Sequence, residues 1–66
     1  SVRVRINCEW SYFHQRVGEL LETSNMDDGD YSIVLLDGEY TPMRFDSVSV
    51  KIDEQRTQVV DMNGAV

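Results

Sequence analysis

The first residues of the chain alternate strictly between apolar and polar side chains. The apolar members are Val2, Val4, Ile6 and Cys8, and the residues between them are Arg3, Arg5 and Asn7. A period of two is typical of a strand with one buried face and one solvated face. We therefore predict a first strand over residues 2–8 that exposes its two arginines to solvent.

The next stretch has a different period. Its apolar side chains recur at helical spacing, at Trp10, Phe13, Val17, Leu20 and Leu21. Such a stripe predicts an amphipathic helix that begins at an N-cap on Ser11, ends near Thr23 and buries both aromatic rings in the core. Gly18 would lie inside this helix, where close packing against a sheet would explain it.

Two more strands are predicted around a short polar segment. Residues 31–36 form an almost continuous apolar run, typical of a strand that is covered on both faces, and residues 46–53 alternate so that Val48, Val50 and Ile52 face the core. Between them, Asp37-Gly38 favours a tight turn, and Pro42 stiffens the segment near its end. We expect residues 38–44 to be extended and exposed. Residues 57–62 predict a last, shorter strand.

These elements predict an α+β fold with the order β-α-β-loop-β-β. One amphipathic helix would pack on a small mixed sheet of about four strands, in a single domain over residues 1–66. The strand-helix-strand unit would make the strands over residues 2–8 and 31–36 parallel if they are neighbours, through a right-handed crossover. The segment 38–44 would then project from one end of the sheet.

Length and cysteine content narrow the class of protein. With 66 residues the chain forms one small domain without a deep cleft, which argues against an enzyme. A single cysteine, Cys8, excludes an internal disulfide, and no apolar run has the length of a signal peptide core or a membrane span. We expect a soluble, cytoplasmic protein that binds no membrane.

Candidate metal ligands and nucleophiles are sparse, so we predict neither a metal site nor a cofactor. His14 is the only histidine and is expected at the surface, while Cys8 is expected to be a small buried apolar residue. Three carboxylates surround Gly29, but they lack the ligand spacing and the distant glutamate of a calcium loop; they are Asp27, Asp28 and Asp30. A solvated acidic turn is the expected structure there.

Charge indicates the kind of partner. The formal net charge is −6, from 12 acidic and 6 basic residues, which disfavours direct binding to a phosphate backbone and favours a basic partner. One hypothesis is an acidic, phage-type antagonist that mimics phosphates towards a nucleic-acid-binding defence protein. Its candidate acidic surface comprises Glu19, Glu22, Asp27, Asp28, Asp30 and Asp37. Another hypothesis is a structural module that pairs through its first strand into a dimer.

Several segments together resemble the potato inhibitor I family of serine protease inhibitors. They are Glu9-Trp10, Ile33-Val34-Leu35, Pro42-Met43 and the run from Arg44 to Asp53. The resemblance implies an extended loop that enters a protease active site like a substrate. At the matching positions, it implies Met43 as the residue in the specificity pocket and Arg44 as a brace for the loop.

The preferred prediction is a small, acidic, non-enzymatic inhibitor that occupies a site on a partner protein. A serine protease is the first partner class. A segment that is held at both ends by strands and stiffened by proline loses little conformational entropy on docking. The predicted contact residues are Gly38, Glu39, Tyr40, Thr41, Pro42, Met43 and Arg44.

Overall fold

The computed structural model describes residues 1–27 and 29–54. They form one antiparallel sheet of five strands in the spatial order β4-β3-β2-β1-β5. A 3₁₀ helix over Ser47–Ser49 separates the last two strands. The strands are β1 (Arg3–Ile6), β2 (Val17–Met26), β3 (Gly29–Leu36), β4 (Met43–Asp46) and β5 (Val50–Ile52).

The first four strands form a meander, and the fifth returns to the first. Each of β2, β3 and β4 pairs antiparallel with the strand before it, and β5 pairs antiparallel with β1. The backbone of β1 is therefore paired on both sides, with Val4 opposite Gly18 in β2 and opposite Ile52 in β5. This arrangement leaves β1 no free edge for the strand-mediated dimer considered from the sequence.

The predicted α+β fold is wrong, because residues 11–23 do not form a helix. Residues 11–16 belong to a loop, and the rest belong to β2. Two features of β2 hide its period of two. Gly18 occupies a buried position without a side chain, and the register shifts between Leu20 and Glu22, so that Leu21 is the extra residue of a bulge. The two adjacent leucines therefore imitate helical spacing.

The parallel pairing predicted for strands 2–8 and 31–36, if they were neighbours, does not occur, because β2 lies between β1 and β3 in the sheet. With no crossover helix, residues 7–16 turn the chain back and β1 and β2 pair antiparallel. The strands predicted over residues 2–8 and 31–36 are present as β1 and β3. The expectation that residues 31–36 are covered on both faces is wrong, because only alternate residues of β3, from Ser32 to Leu36, are buried. The strand predicted over residues 57–62 lies outside the described residues.

The strand predicted over residues 46–53 is interrupted. Asp46 ends β4, the 3₁₀ helix comes next, and only Val50–Ile52 forms β5. The helix is anchored to the sheet because the Ser47 and Ser32 hydroxyl oxygens lie 2.8 Å apart. As a result Val48 is 80% exposed and does not join the core.

The core lies on the inward face of the sheet. Four side chains of β1 and β3 are completely buried, namely Val4, Ile6, Val34 and Leu36. Partly buried side chains from the other strands, from the first loop and from the residue before β1 pack around them; they are Val2, Cys8, Phe13, Leu20, Met43, Phe45 and Val50. In the described part of the chain, no helix is both long enough and apolar enough to cross a membrane.

Candidate functional site

Two connections lie together at one end of the sheet. They are the β1–β2 loop, residues 7–16, and the β3–β4 connection, residues 37–42. The backbone N–H of Asp37 donates to the carbonyl of Val17 (3.0 Å), and Arg16 Nη2 donates to the carbonyl of Asp37 (3.0 Å). Arg16 Nη2 also lies 3.5 Å from a Glu39 carboxylate oxygen. These contacts join the two connections into one surface.

Three large aromatic side chains stand out from this surface into solvent. Trp10 is 96% exposed, Tyr12 is 91% exposed and Tyr40 is 101% exposed relative to a reference side chain. We call the two connections and these three rings the aromatic end. Isolated apolar residues are common on protein surfaces, but full exposure of three aromatic rings at one end of a small domain is typical of a contact site.

The base of the β1–β2 loop is closed by backbone hydrogen bonds. Ile6 donates to the carbonyl of Arg16 (2.9 Å), and Gln15 donates to the carbonyl of Ile6 (2.7 Å). Gln15 adopts a positive φ of 73°, and its carbonyl accepts a hydrogen bond from Arg5 Nη1 (2.9 Å). The base of the loop is thus held by backbone hydrogen bonds to Ile6 of β1 and by the side chain of Arg5.

The tip of the loop has its own hydrogen bonds. Ser11 donates to the carbonyl of Cys8 (2.9 Å), and His14 donates to the carbonyl of Ser11 (3.1 Å). Two side chains complete the tip: Ser11 Oγ accepts from the Phe13 N–H (3.0 Å), and His14 Nδ1 accepts from the Cys8 N–H (3.0 Å). The backbone that carries Trp10 and Tyr12 is therefore fixed in advance of any binding.

The loop turns its third aromatic ring inward. Phe13 packs edge-to-face on Phe45 of β4, with ring centroids 6.0 Å apart, and on Tyr12 at 5.2 Å. The guanidinium carbon of Arg16 lies 5.9 Å from the centroid of the Phe13 ring. Phe13 therefore anchors the loop to the core, while Tyr12 covers its outer edge.

The predicted contact segment 38–44 is divided between the aromatic end and the sheet. Gly38 has φ 89° in a turn closed by the Glu39 N–H, which donates to the carbonyl of Leu36 (3.0 Å). Tyr40 and Thr41 form a bend, and the whole stretch 38–42 is exposed. The segment is thus a turn and a bend before β4 begins, in contrast to the extended conformation expected from its proline.

The other two predicted contact residues belong to β4. Met43 is half-buried, pairs with Val34 and packs against the core, whereas Arg44 is exposed. The guanidinium carbon of Arg44 lies 4.4 Å from the centroid of the Tyr31 ring. Neither side chain therefore projects from the aromatic end.

The candidate acidic surface does not come together as one patch. Glu22, Asp27 and Asp30 are exposed on the part of the β2–β3 hairpin that points away from the aromatic end, and Asp28 lies outside the described residues. Glu19 is half-buried on β2. The remaining member, Asp37, lies at the aromatic end and forms an ion pair with Arg3.

The candidate metal ligands of the sequence are not grouped. Among residues 1–27 and 29–54, no three side chains of the ligating types are placed to hold a metal ion. His14 is half-buried in the loop tip, contrary to its expected surface position, and Cys8 is half-buried beside the core. The same residues enclose no ligand-sized cavity.

Sequence reasoning missed two of the three rings of the aromatic end. The helical interpretation assigned Trp10 to the core and gave Tyr12 no role. Residues 7–16, which carry these two rings, contain the turn-favouring Asn7 and Ser11 but neither glycine nor proline. Their composition therefore does not decide between a loop and a helix.

Comparisons with known proteins found no relative of this chain. No family model, no curated protein and no solved structure matches the chain.

Proposed function

We propose that this protein is a non-enzymatic binding protein that inhibits a partner protein by docking its aromatic end onto the partner's surface. The observation that carries the proposal is the near-complete exposure of Trp10, Tyr12 and Tyr40 on connections held by hydrogen bonds. Tryptophan and tyrosine are enriched among the residues that dominate the binding energy of protein interfaces.

The three exposed rings offer a large apolar area on connections whose backbone is held by hydrogen bonds. An aromatic side chain buries about 150–250 Å² on full burial, and each Å² of apolar surface contributes roughly 25 cal/mol. Trp10, Tyr12 and Tyr40 together would therefore offer on the order of 10 kcal/mol before the costs of association are subtracted. Because the backbone of the β1–β2 loop is already ordered, docking adds little cost for ordering that backbone, which is one part of the entropic cost of association.

A serine protease is the first partner class that we propose, in line with the resemblance of the sequence. The exposed side chain open to an apolar specificity pocket is Tyr40, since Met43 packs against the core. Pockets of the chymotrypsin type accept an apolar side chain. In this proposal Tyr40 enters the pocket, and Arg16 supports the connection through Asp37 and Glu39.

The protease proposal is tested by titrating subtilisin-type and chymotrypsin-type proteases with the wild-type protein, Tyr40→Ala and Val48→Ala. Val48 is the control, because it is an exposed apolar residue in the 3₁₀ helix. Stoichiometric inhibition that Tyr40→Ala abolishes and Val48→Ala retains would support it, as would one slow cut beside Tyr40 in the mass spectrum. Rapid cleavage of the protein at many bonds, or no inhibition of any protease, would refute the proposal that the partner is a serine protease.

The general docking proposal has its own test. A photo-crosslinking amino acid is placed at position 40 in one sample and, in another, at position 25, an exposed position that pairs with Asp30 at the far end of the β2–β3 hairpin. The crosslinked partner is purified and recombined with the protein. Crosslinking from position 40 alone, with affinity about tenfold weaker for Trp10→Ala, supports docking through the aromatic end. Equal crosslinking from both positions, or unchanged affinity of Trp10→Ala for the purified partner, would refute it.

A further inference from the structure

We propose that the aromatic end binds positively charged side chains, so that the docked segment of the partner presents arginine or lysine to the exposed rings. This inference rests on the proposed docking function and specifies its partner. The chain has a formal net charge of −6, which disfavours association with an acidic partner and favours a basic one.

The arginines near the aromatic end are already engaged within the chain. Arg16 contacts the carbonyl of Asp37 and the carboxylate of Glu39, and Arg3 forms an ion pair with Asp37. Arg5 donates to the carbonyl of Gln15 and lies 3.5 Å from a carboxylate oxygen of Asp53. Each of these cations therefore lies beside an acceptor of its own, and none is presented alone to an incoming anion.

The groups left facing solvent are those that attract a cation. Trp10 exposes nearly its whole ring, and the face of an indole is the strongest aromatic site for a cation. Glu9 is exposed directly before it and makes no ion pair with any residue of 1–27 or 29–54. A guanidinium on the indole face would thus have a carboxylate within one residue along the chain.

The chain contains an example of the same interaction. Arg44 stacks on Tyr31 with the guanidinium carbon 4.4 Å from the ring centroid, on the exposed side of β3 and β4. An arginine from a partner could adopt this geometry on Trp10 or Tyr12, which have no cation over their rings in the described structure. A purely apolar partner would use the rings but not Glu9, and this difference makes the inference testable.

The probes are four short fluorescent peptides of one glycine–serine framework that carry arginine, lysine, citrulline or glutamate at the same positions. Citrulline keeps the shape of arginine without its charge. Fluorescence anisotropy should show that the arginine peptide binds at least about tenfold more tightly than the citrulline peptide, and that added salt weakens it. The emission of Trp10, the only tryptophan, should change on binding.

Two pairs of variants locate the site. Trp10→Ala should lower the affinity for the arginine peptide about fivefold or more, and Val48→Ala should leave this affinity unchanged. Glu9→Gln and Glu22→Gln each remove one negative charge from an exposed position, but only Glu9 lies at the aromatic end. Glu9→Gln should therefore weaken binding more than Glu22→Gln does.

Equal affinity for the citrulline and arginine peptides would overturn the inference, since an apolar occupant would then suffice. Equal weakening by Glu9→Gln and Glu22→Gln would also overturn it, because binding would then depend on the net charge alone. Failure of the inference remains distinguishable from failure of the docking function. If crosslinking from position 40 still identifies a partner whose affinity is insensitive to salt, docking holds and the cationic contact does not.

Discussion

His14 Nδ1 accepts a hydrogen bond from the backbone N–H of Cys8 across the tip of the β1–β2 loop, at 3.0 Å. The same residue donates its own backbone N–H to the carbonyl of Ser11 (3.1 Å), so His14 ties the loop at two points. The only histidine of the chain thus holds the backbone on both sides of Trp10.

We expect His14→Ala to lower the free energy of unfolding by about 1–2 kcal/mol, because the part-buried Cys8 N–H loses its acceptor. His14→Asn is the matched variant, since its side-chain carbonyl can take the place of Nδ1. Amide exchange of Cys8, measured by NMR, should accelerate in the alanine variant and stay slow in the asparagine variant. Unchanged exchange in His14→Ala would show that this hydrogen bond does not order the loop.

The two aromatic residues Trp10 and Phe13 should respond very differently to alanine. A helical stripe would bury both, but in the structure Phe13 packs on Phe45 whereas Trp10 is 96% exposed. We expect Phe13→Ala to lower the free energy of unfolding by about 2–3 kcal/mol. Trp10→Ala should change it by less than about 0.5 kcal/mol. Urea denaturation measures both. Comparable losses would contradict the loop and favour the helix.

Gly18→Ala should lower the free energy of unfolding more than an alanine substitution at an exposed position of the same strand. A Cβ at this position would lie 2.4 Å from the carbonyl oxygen of Leu35 and 2.7 Å from Cα of Leu36, both backbone atoms of β3. Moving the backbone to admit it costs typically about 1–3 kcal/mol. Glu22→Ala, at an exposed position of the same strand, is the control and should change the unfolding free energy by about 0.5 kcal/mol or less.

Gln15 is the one described residue other than glycine with a positive φ, 73°. Left-handed backbone costs an ordinary residue roughly 1 kcal/mol, costs glycine little and is worst for a β-branched residue. Gln15→Gly should therefore be more stable than Gln15→Val by about 2 kcal/mol. Both variants lose the contact of the Gln15 side chain with His14, so their difference in thermal unfolding isolates the backbone.

Local chemistry predicted part of the fold and part of the site. The alternation at the start of the chain and the apolar run 31–36 located β1 and β3, because a period of two and a β-branched run are properties of neighbouring residues. Asp37-Gly38 likewise located the turn that presents Tyr40, since glycine adopts φ 89° without strain.

The β1–β2 loop, which carries Trp10 and Tyr12, could not be predicted from local sequence patterns. Whether Trp10 faces the core or solvent depends on whether its neighbours form a helix, and the spacing of Phe13 and Leu20 fits a helix as well as it fits a loop and then a strand. The joining of the two connections also depends on Arg16 contacting Asp37 and Glu39, which are distant in sequence.

The sequence by itself determined the first and third strands, the turn at Asp37-Gly38 and the net charge of −6. Only the tertiary structure decided that Val17–Met26 is a strand, because a strand is stabilised by its partners, and Gly18 in β2 pairs with Val4 in β1 and with Leu36 in β3. An inward glycine and a bulge at Leu21 hide the period of two that would otherwise have indicated this strand. Because β1 ends at Ile6 and pairs antiparallel with β2 from Val17, residues 7–16 form the loop between them, in which Trp10 and Tyr12 are exposed.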